Sequence, residues 1–242
     1  MSLLSQFFPS GFGQEQYEFL LVAGGGAGGS SNPPSSFGGA GGGGGVLQGF
    51  INLTPGTHPV VIGGAGSQSS FSNSNYVAAA GGSGGQASNP TGGNLGNPGG
   101  SGGGGATTNN PVPGLAGGAS HYSNDIYSSF YYRRGFPGAP GSTGAVNQGQ
   151  GGGASGVSPA GYFSIIEGPL AKEYARGGPS SAGANTGYGG PTGGAGGSGI
   201  FVISYPTVIG AATTFSGATD ISPSTPGKRT YRFTSTGSIT LP

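Results

Sequence analysis

The sequence predicts a mainly β protein in which short antiparallel strands and hairpins frame a bundle of extended, glycine-rich polyproline II segments, with little or no α-helix. Three observations predict it. Glycine and proline, 61 and 19 of 242 residues, make up about a third of the chain. Glycine recurs at every third position in several runs, which is the period of the polyproline II helix. The apolar stretches between those runs are short, alternating or β-branched, and none has the 3.6-residue periodicity of an amphipathic helix.

The strands follow in order. Residues 17–23 alternate and open the chain's ordered part. Residues 46–53 and 57–62 flank Thr54-Pro55-Gly56-Thr57, with Pro second and Gly third as a type II turn wants, so the two are predicted to pair as a hairpin. Residues 71–79 and 162–166 are weaker strand signals. Residues 200–205, IFVISY, are a stronger one, because β-branched and aromatic side chains suit a pleated surface. Residues 230–241 alternate and contain a Thr-Gly pair that would turn the chain back to close a sheet.

Between the strands, glycine falls at 93, 96, 99, 102 and 105, at 135, 138, 141 and 144, and at 187, 190, 193, 196 and 199, with shorter series at 38, 41, 44 and at 114, 117. A polyproline II backbone makes no internal hydrogen bonds, so its N–H and C=O groups point outward, and a glycine face lets neighbouring backbones approach and bond. Five triplets would make a rod of roughly 45 Å. Collagen needs longer unbroken triplets. A flexible Gly/Ser linker is the other alternative; the interleaved strands and the shortage of charge favour an ordered bundle.

Only 5% of residues are charged, against about 25% in ordinary domains, and the formal net charge is +1. No Asp, Glu, Lys or Arg occurs between residues 19 and 124. A phosphate-contacting surface needs Lys and Arg, so a nucleic-acid partner is not expected. Nor is membrane insertion, since no apolar run nears 18 residues. With no cysteine, disulfides and thiolate metal sites are excluded.

Strand 17–23 runs into Gly24-Gly25-Gly26-Ala27-Gly28-Gly29, a match to G-x-G-x-x-G. That fingerprint needs a following helix and an acid about 20 residues on. Here Pro33 and Pro34 follow, and the next acid is Asp125. The two GGSGG matches to G-x-S-x-G, at 81–85 and 99–103, have no strand-elbow-helix context. His58 and His121, with Asp125 or Asp220, would have to complete a triad; His58 reads as an exposed residue flanking a turn. PGKRT at 226–230 lacks the Ser/Thr and upstream Gly of a phosphate loop. No enzyme activity, cofactor or metal is expected.

One stretch differs from the rest. Residues 121–135, HYSNDIYSSFYYRRG, hold four Tyr, one Phe and the first Arg pair of the chain. Tyr and Arg are enriched at binding hot spots. Tyr127, Phe130, Tyr131, Tyr132, Arg133 and Arg134 are therefore candidate receptor contacts, against the reading that the rings only cap the bundle. Residues 167–178, EGPLAKEYARGG, are a second, weaker candidate. The apolar N-terminal Leu3, Leu4, Phe7 and Phe8 suggest a docking segment.

The chain resembles the glycine-rich domain proteins of bacteriophage virions, of the tail-fibre or receptor-recognition type. YEFLLVAGGGAGG is similar to that family's opening strand and glycine run, INLTPGTHPVVIGGAG and SSFSNSNYVAAAGGSGG to its hairpin and next strand, GGAGGSGIFVISYP to its closing strand and GKRTYRFTSTGSITLP to its terminal segment. The resemblance implies a virion surface protein, assembled as a homotrimer with other virion proteins. It would display loops to a host-surface glycan or protein. Residues 1–14 would dock, 15–205 would form the glycine-rich β/polyproline II domain, and 206–242 a C-terminal β segment. The alternatives are a capsid decoration or head-fibre protein, an ice-binding polyproline II bundle, for which the sequence shows no regular Thr array, and an inert scaffold or wall component.

Overall fold

A computed structural model describes residues 16–30, 36–37, 40–73, 76–78, 80, 107–108, 132–134, 162–168, 172–177, 184–191, 193–223 and 225–242. These residues are mainly β and contain no α-helix. The strands are β1 (Gln16–Val22), β2 (Ser36–Phe37), β3 (Val46–Asn52), β4 (Gly56–Val61), β5 (Ser69–Phe71), β6 (Tyr76–Ala78), β7 (Thr107–Thr108), β8 (Tyr132–Arg134), β9 (Tyr162–Ser164), β10 (Lys172–Tyr174), β11 (Ile200–Pro206), β12 (Thr214–Asp220) and β13 (Lys228–Leu241).

Nine strands form one antiparallel sheet, in the order β6-β5-β4-β13-β11-β1-β3-β8, with β12 along the other edge of β13. The 14-residue β13 is its pivot. Residues 228–233 pair with β11, and residues 237–241 pair with β4. Both partners use the same edge of β13, so the sheet divides into two leaves that share this strand. The leaves curl over each other until β6 lies against β1 and β3, which nearly closes the sheet.

Alternation decides what goes inside. Tyr17, Phe19 and Leu21 of β1 point into the space between the leaves, with Phe201 and Ile203 of β11, Phe71 of β5, and Tyr231 and Phe233 of β13. The rings pack directly: Phe71 lies 4.4 Å from Phe201, and Phe19 lies 5.4 Å from Tyr76. The opposite face of β1 is also covered. Leu20 and Val22 pack with Val46, Val202, Ile166 and Tyr174, the last two from the β9–β10 hairpin. A strand buried on both faces must be apolar at nearly every position, which is why FLLV stands uninterrupted in β1.

Two predicted connections fold otherwise. Residues 46–52 and 56–61 do form strands, but they do not pair with each other. β3 lies between β1 and β8, and β4 lies between β13 and β5. The Thr54–Thr57 turn is thus an arch from one leaf to the other, with Gly56 at φ +136°, well past the roughly +80° of a type II turn. At the C-terminus the Thr-Gly pair makes no turn. β13 continues as one strand through Gly237 but bulges there, residues 234–237 standing against the single Gly217 of β12, where φ is +72°. A Cβ on Gly237 would overlap the Ser216 carbonyl, so glycine is needed for close approach. Predicted strand 71–79 is two strands, β5 and β6, parted by a turn with Ser72 and Asn73 at positive φ.

Beyond one end of the sheet the chain changes its bonding period. Val22, Val46 and Ile200 are register partners. From there residues 23–29, 40–45, 63–67, 187–190 and 194–199 lie together, joined by backbone hydrogen bonds. Ala23 and Gly26 donate to Gly45 and Gly42; Gly25 and Gly28 donate to Gly197 and Gly194; Gly41 and Gly44 donate to Gly190 and Gly187; Gly190 and Gly193 donate to Gly26 and Gly29. In each pair the donors are three residues apart. Ser69 sits at the junction: its hydroxyl donates to the Val22 carbonyl at 2.8 Å and accepts from the Gly63 N–H at 3.0 Å. The glycines permit contact that no side chain would. A Cβ on Gly25 would overlap the Tyr188 carbonyl, and one on Gly41 the Gly26 carbonyl.

The glycine series at 187–199 is not one rod. Gly194 N–H bonds back to the Pro191 carbonyl at 2.7 Å, and the two halves then bond each other through Gly187 to Ser198 and Gly197 to Tyr188. The predicted series at 93–105 and 135–144 lie outside the described residues, as does the docking segment 1–14.

Candidate functional site

Five charged side chains, Glu167, Lys172, Glu173, Arg176 and Arg232, stand at or beside one cleft. It has a volume of about 380 Å³ and is lined by Lys172, Glu173 and Tyr174 of β10, residues 184–186, Tyr188, Ile200, and Arg232 and Thr234 of β13. Three of the chain's seven basic residues, Lys172, Arg176 and Arg232, stand at or beside it.

Glu167 organises the site from below. It lies in the connection between β9 and β10, and its side chain is 2% exposed. Its Oε2 accepts from the Tyr174 hydroxyl at 2.8 Å and pairs with Lys172 Nζ at 3.2 Å. Its Oε1 accepts from Arg232 Nε. Burial by itself would push this carboxyl up, but the hydrogen bonds from Arg232 and Tyr174, the Arg232 charge and the Lys172 bond outweigh it. The carboxyl is held below its ordinary range. The same contact, after burial, pushes the Tyr174 phenol up.

The opposite wall is tied to the glycine lattice. Ala175 N–H donates to the Thr186 carbonyl at 2.8 Å, and Gly189 N–H donates to the Arg176 carbonyl at 2.7 Å. Asn185 has a left-handed backbone, φ +58°, and its N–H donates to Ser198 Oγ at 2.9 Å. Asn tolerates that conformation better than most residues. The Tyr188 hydroxyl donates to the Glu173 carbonyl at 3.2 Å, which fixes the ring at the cleft edge. Burial, and then the Glu173 charge, push that phenol up. Glu173 also pairs with Arg176 at 3.6 Å. Around the cleft three cations thus meet two carboxylates.

Of the residues singled out in the sequence, Tyr132, Arg133 and Arg134 form β8, paired with β3 opposite Gln48, Leu47 and Val46. Tyr127, Phe130 and Tyr131 lie outside the described residues, as do Leu3, Leu4, Phe7 and Phe8. The second candidate stretch, 167–178, supplies Glu167, Lys172, Glu173, Tyr174 and Arg176. Sequence reading missed Asn185, Thr186, Tyr188, Arg232 and Thr234. The available signal was the scarcity of charge: in so neutral a chain, Arg232 on an alternating strand is conspicuous.

His58 departs from its reading as an exposed residue. It is 8% exposed, with Nε2 2.9 Å from the Thr54 carbonyl and its ring 5.9 Å from that of Phe71. No group of three or more His, Asp or Glu that could hold a metal occurs among the described residues. No family model matches the chain, and comparisons with curated proteins and with solved structures found no match.

Proposed function

We propose that the protein is a non-enzymatic structural component of a phage particle, carried on the virion surface and displaying recognition elements for attachment to the host. The observation that carries this reading is the glycine lattice. We infer that its segments run as polyproline II helices, because donors three residues apart match that helix's period. Gly24, Gly25, Gly41 and Gly44 are free of positive φ, while Gly187 (+65°) and Gly193 (+72°) depart from that helix. Such a lattice holds its shape by main-chain bonds and close contact, as a stable appendage with no cysteine must.

The partners in this reading are other virion proteins, reached through Leu3, Leu4, Phe7 and Phe8, further copies of the chain in a homotrimer, and a host-surface glycan or protein. A capsid decoration or head-fibre role uses the same features at a different position on the particle. Antibody labelling of intact particles in the electron microscope tests both. Labelled tails support attachment, labelled heads support decoration, and unlabelled particles reject the virion reading. Deleting residues 2–12 should release the chain from particles. Replacing Tyr131, Tyr132 and Arg133 together by Ala should reduce adsorption without unfolding; unchanged adsorption removes that stretch as the receptor contact.

One observation favours ice binding as a second reading. Thr57, Thr240 and Thr214 form a hydroxyl row across β4, β13 and β12, with Oγ1 separations of 2.8 and 3.0 Å, and Ser238 and Ser216 add a further pair at 3.4 Å. At about 4.8 Å per strand the row is only ~10 Å long, which places this reading second. Thermal hysteresis lost on Thr240→Val would promote it; no hysteresis in the unaltered protein would end it.

A further inference from the structure

We propose that the cleft between β10, β13 and residues 184–188 binds an acidic saccharide, with the sugar carboxylate held by Lys172 and Arg232. The inference deepens the attachment reading, on which its biological setting rests, by naming the ligand class and a site other than residues 121–135.

Size comes first. A cleft of about 380 Å³ lies within the range of small-molecule sites and holds roughly one or two sugar rings. Its walls offer an amide at Asn185, hydroxyls at Thr186 and Thr234, and the ring of Tyr188, with Ile200 and Ala184 as apolar surface. Mixed hydrogen-bonding groups beside an aromatic ring suit a hydroxylated ring with one polar edge and one apolar face.

Charge selects among sugars. With Arg176 beside it, the cleft region carries three cations against two carboxylates, in a protein whose whole formal charge is only +1. Glu167 engages Arg232 through Nε alone among the guanidinium nitrogens, leaving the terminal amino groups for an incoming carboxylate. Lys172 is 42% exposed at its side chain, so its ammonium remains reachable while bonded to Glu167. The two cations are thus already ordered before a ligand arrives, and little rotamer freedom is lost on binding.

The test uses the purified full chain, isotopically labelled, titrated with digalacturonate and with its methyl ester, which keeps the shape and removes the charge. Saturable amide shifts at Thr186, Tyr188 and Thr234 are expected with the acid at concentrations up to about 10 mM. Binding of the ester should be about tenfold weaker. Lys172→Gln, which keeps a hydrogen-bond donor for Glu167, should weaken the acid about tenfold, whereas Lys228→Gln, outside the cleft, should leave it unchanged. Equal binding of acid and ester overturns the role of the cations. Absence of shifts at those three residues overturns the site. Tighter binding of an acetylated triglutamate peptide than of digalacturonate overturns the saccharide class. Because binding is read on the isolated chain, a protein that takes the acid but is missing from particles would sink the attachment reading and leave the ligand class standing.

Discussion

The rings of Phe71 and Phe201 stack 4.4 Å apart at an interplanar angle of 26°, and this contact joins the two leaves of the sheet. Phe71 lies on β5 in one leaf, Phe201 on β11 in the other, and both are fully buried. No backbone hydrogen bond links these two strands. Between these two strands the contact is side-chain packing, with the Ser69–Val22 hydrogen bond beside it.

Phe71→Ala should therefore destabilise the protein by about 3–5 kcal/mol, the range for deleting a buried aromatic side chain. Phe71→Leu should cost distinctly less, because it keeps most of the volume. Chemical denaturation of both variants measures the difference; equal losses would mean that the leaves are not held by this ring.

Glycine substitutions should separate close approach from mere composition. Gly25→Ala places a methyl on the Tyr188 carbonyl and should cost at least the ~1–3 kcal/mol of an overpacked core. At Gly64 a Cβ would meet nothing within 4 Å, and φ is not positive, so Gly64→Ala should be neutral or stabilising by about 0.4–1 kcal/mol. Thermal melts of the two variants check this directly.

Acid should loosen the cleft first. The Glu167 carboxyl is held below its ordinary range, so its bonds to Arg232, Tyr174 and Lys172 contribute fully at neutral pH. That contribution falls away as pH drops below about 4.3, the ordinary Glu value, and on through the lower folded value. Glu167→Gln should remove this acid dependence while lowering stability at neutral pH. Amide exchange across β9 and β10, followed against pH, reads both effects.

Alkali acts with the opposite sign. Burial pushes the Tyr174 and Tyr205 phenols up, helped by Glu167 at the first and by Tyr231 at the second. The fold thus favours their neutral forms, and this stabilisation is complete below about pH 10, the ordinary Tyr value, and lost as pH rises beyond it. Tyrosinate absorbance should show Tyr174 and Tyr205 among the late-titrating residues, with Tyr188 also delayed, and Tyr205→Phe and Tyr174→Phe should each remove one.

Much of the strand content was legible because period-2 alternation and β-branched residues are local signals. β1, β3, β4 and β11 lie within a residue or so of their predicted limits. Glycines of the every-third series, among them Gly41, Gly44, Gly187 and Gly190, donate N–H bonds in the lattice, but so do Gly189, Gly194 and Gly197, which the series omits. The cleft was half legible: Glu167, Lys172, Glu173 and Tyr174 stand together in one stretch, but Arg232 and Thr234 come from a strand some 60 residues further on.

The sequence by itself determined the class of backbone seen in the described residues: mainly β, apolar where strands are buried, glycine where chains must touch. It determined this because pleat, period and the absence of a Cβ are properties of single residues and their near neighbours. Tertiary structure alone decided the partners. Thr54–Thr57 has the residues of a tight hairpin, yet it spans two leaves, because β13 offers an edge to β4 and the aromatic core favours Phe71 facing Phe201. Thr57, Thr214 and Thr240 form a row that no linear pattern contains. Those choices depend on which surfaces exclude water together, and such surfaces exist only after distant strands have met.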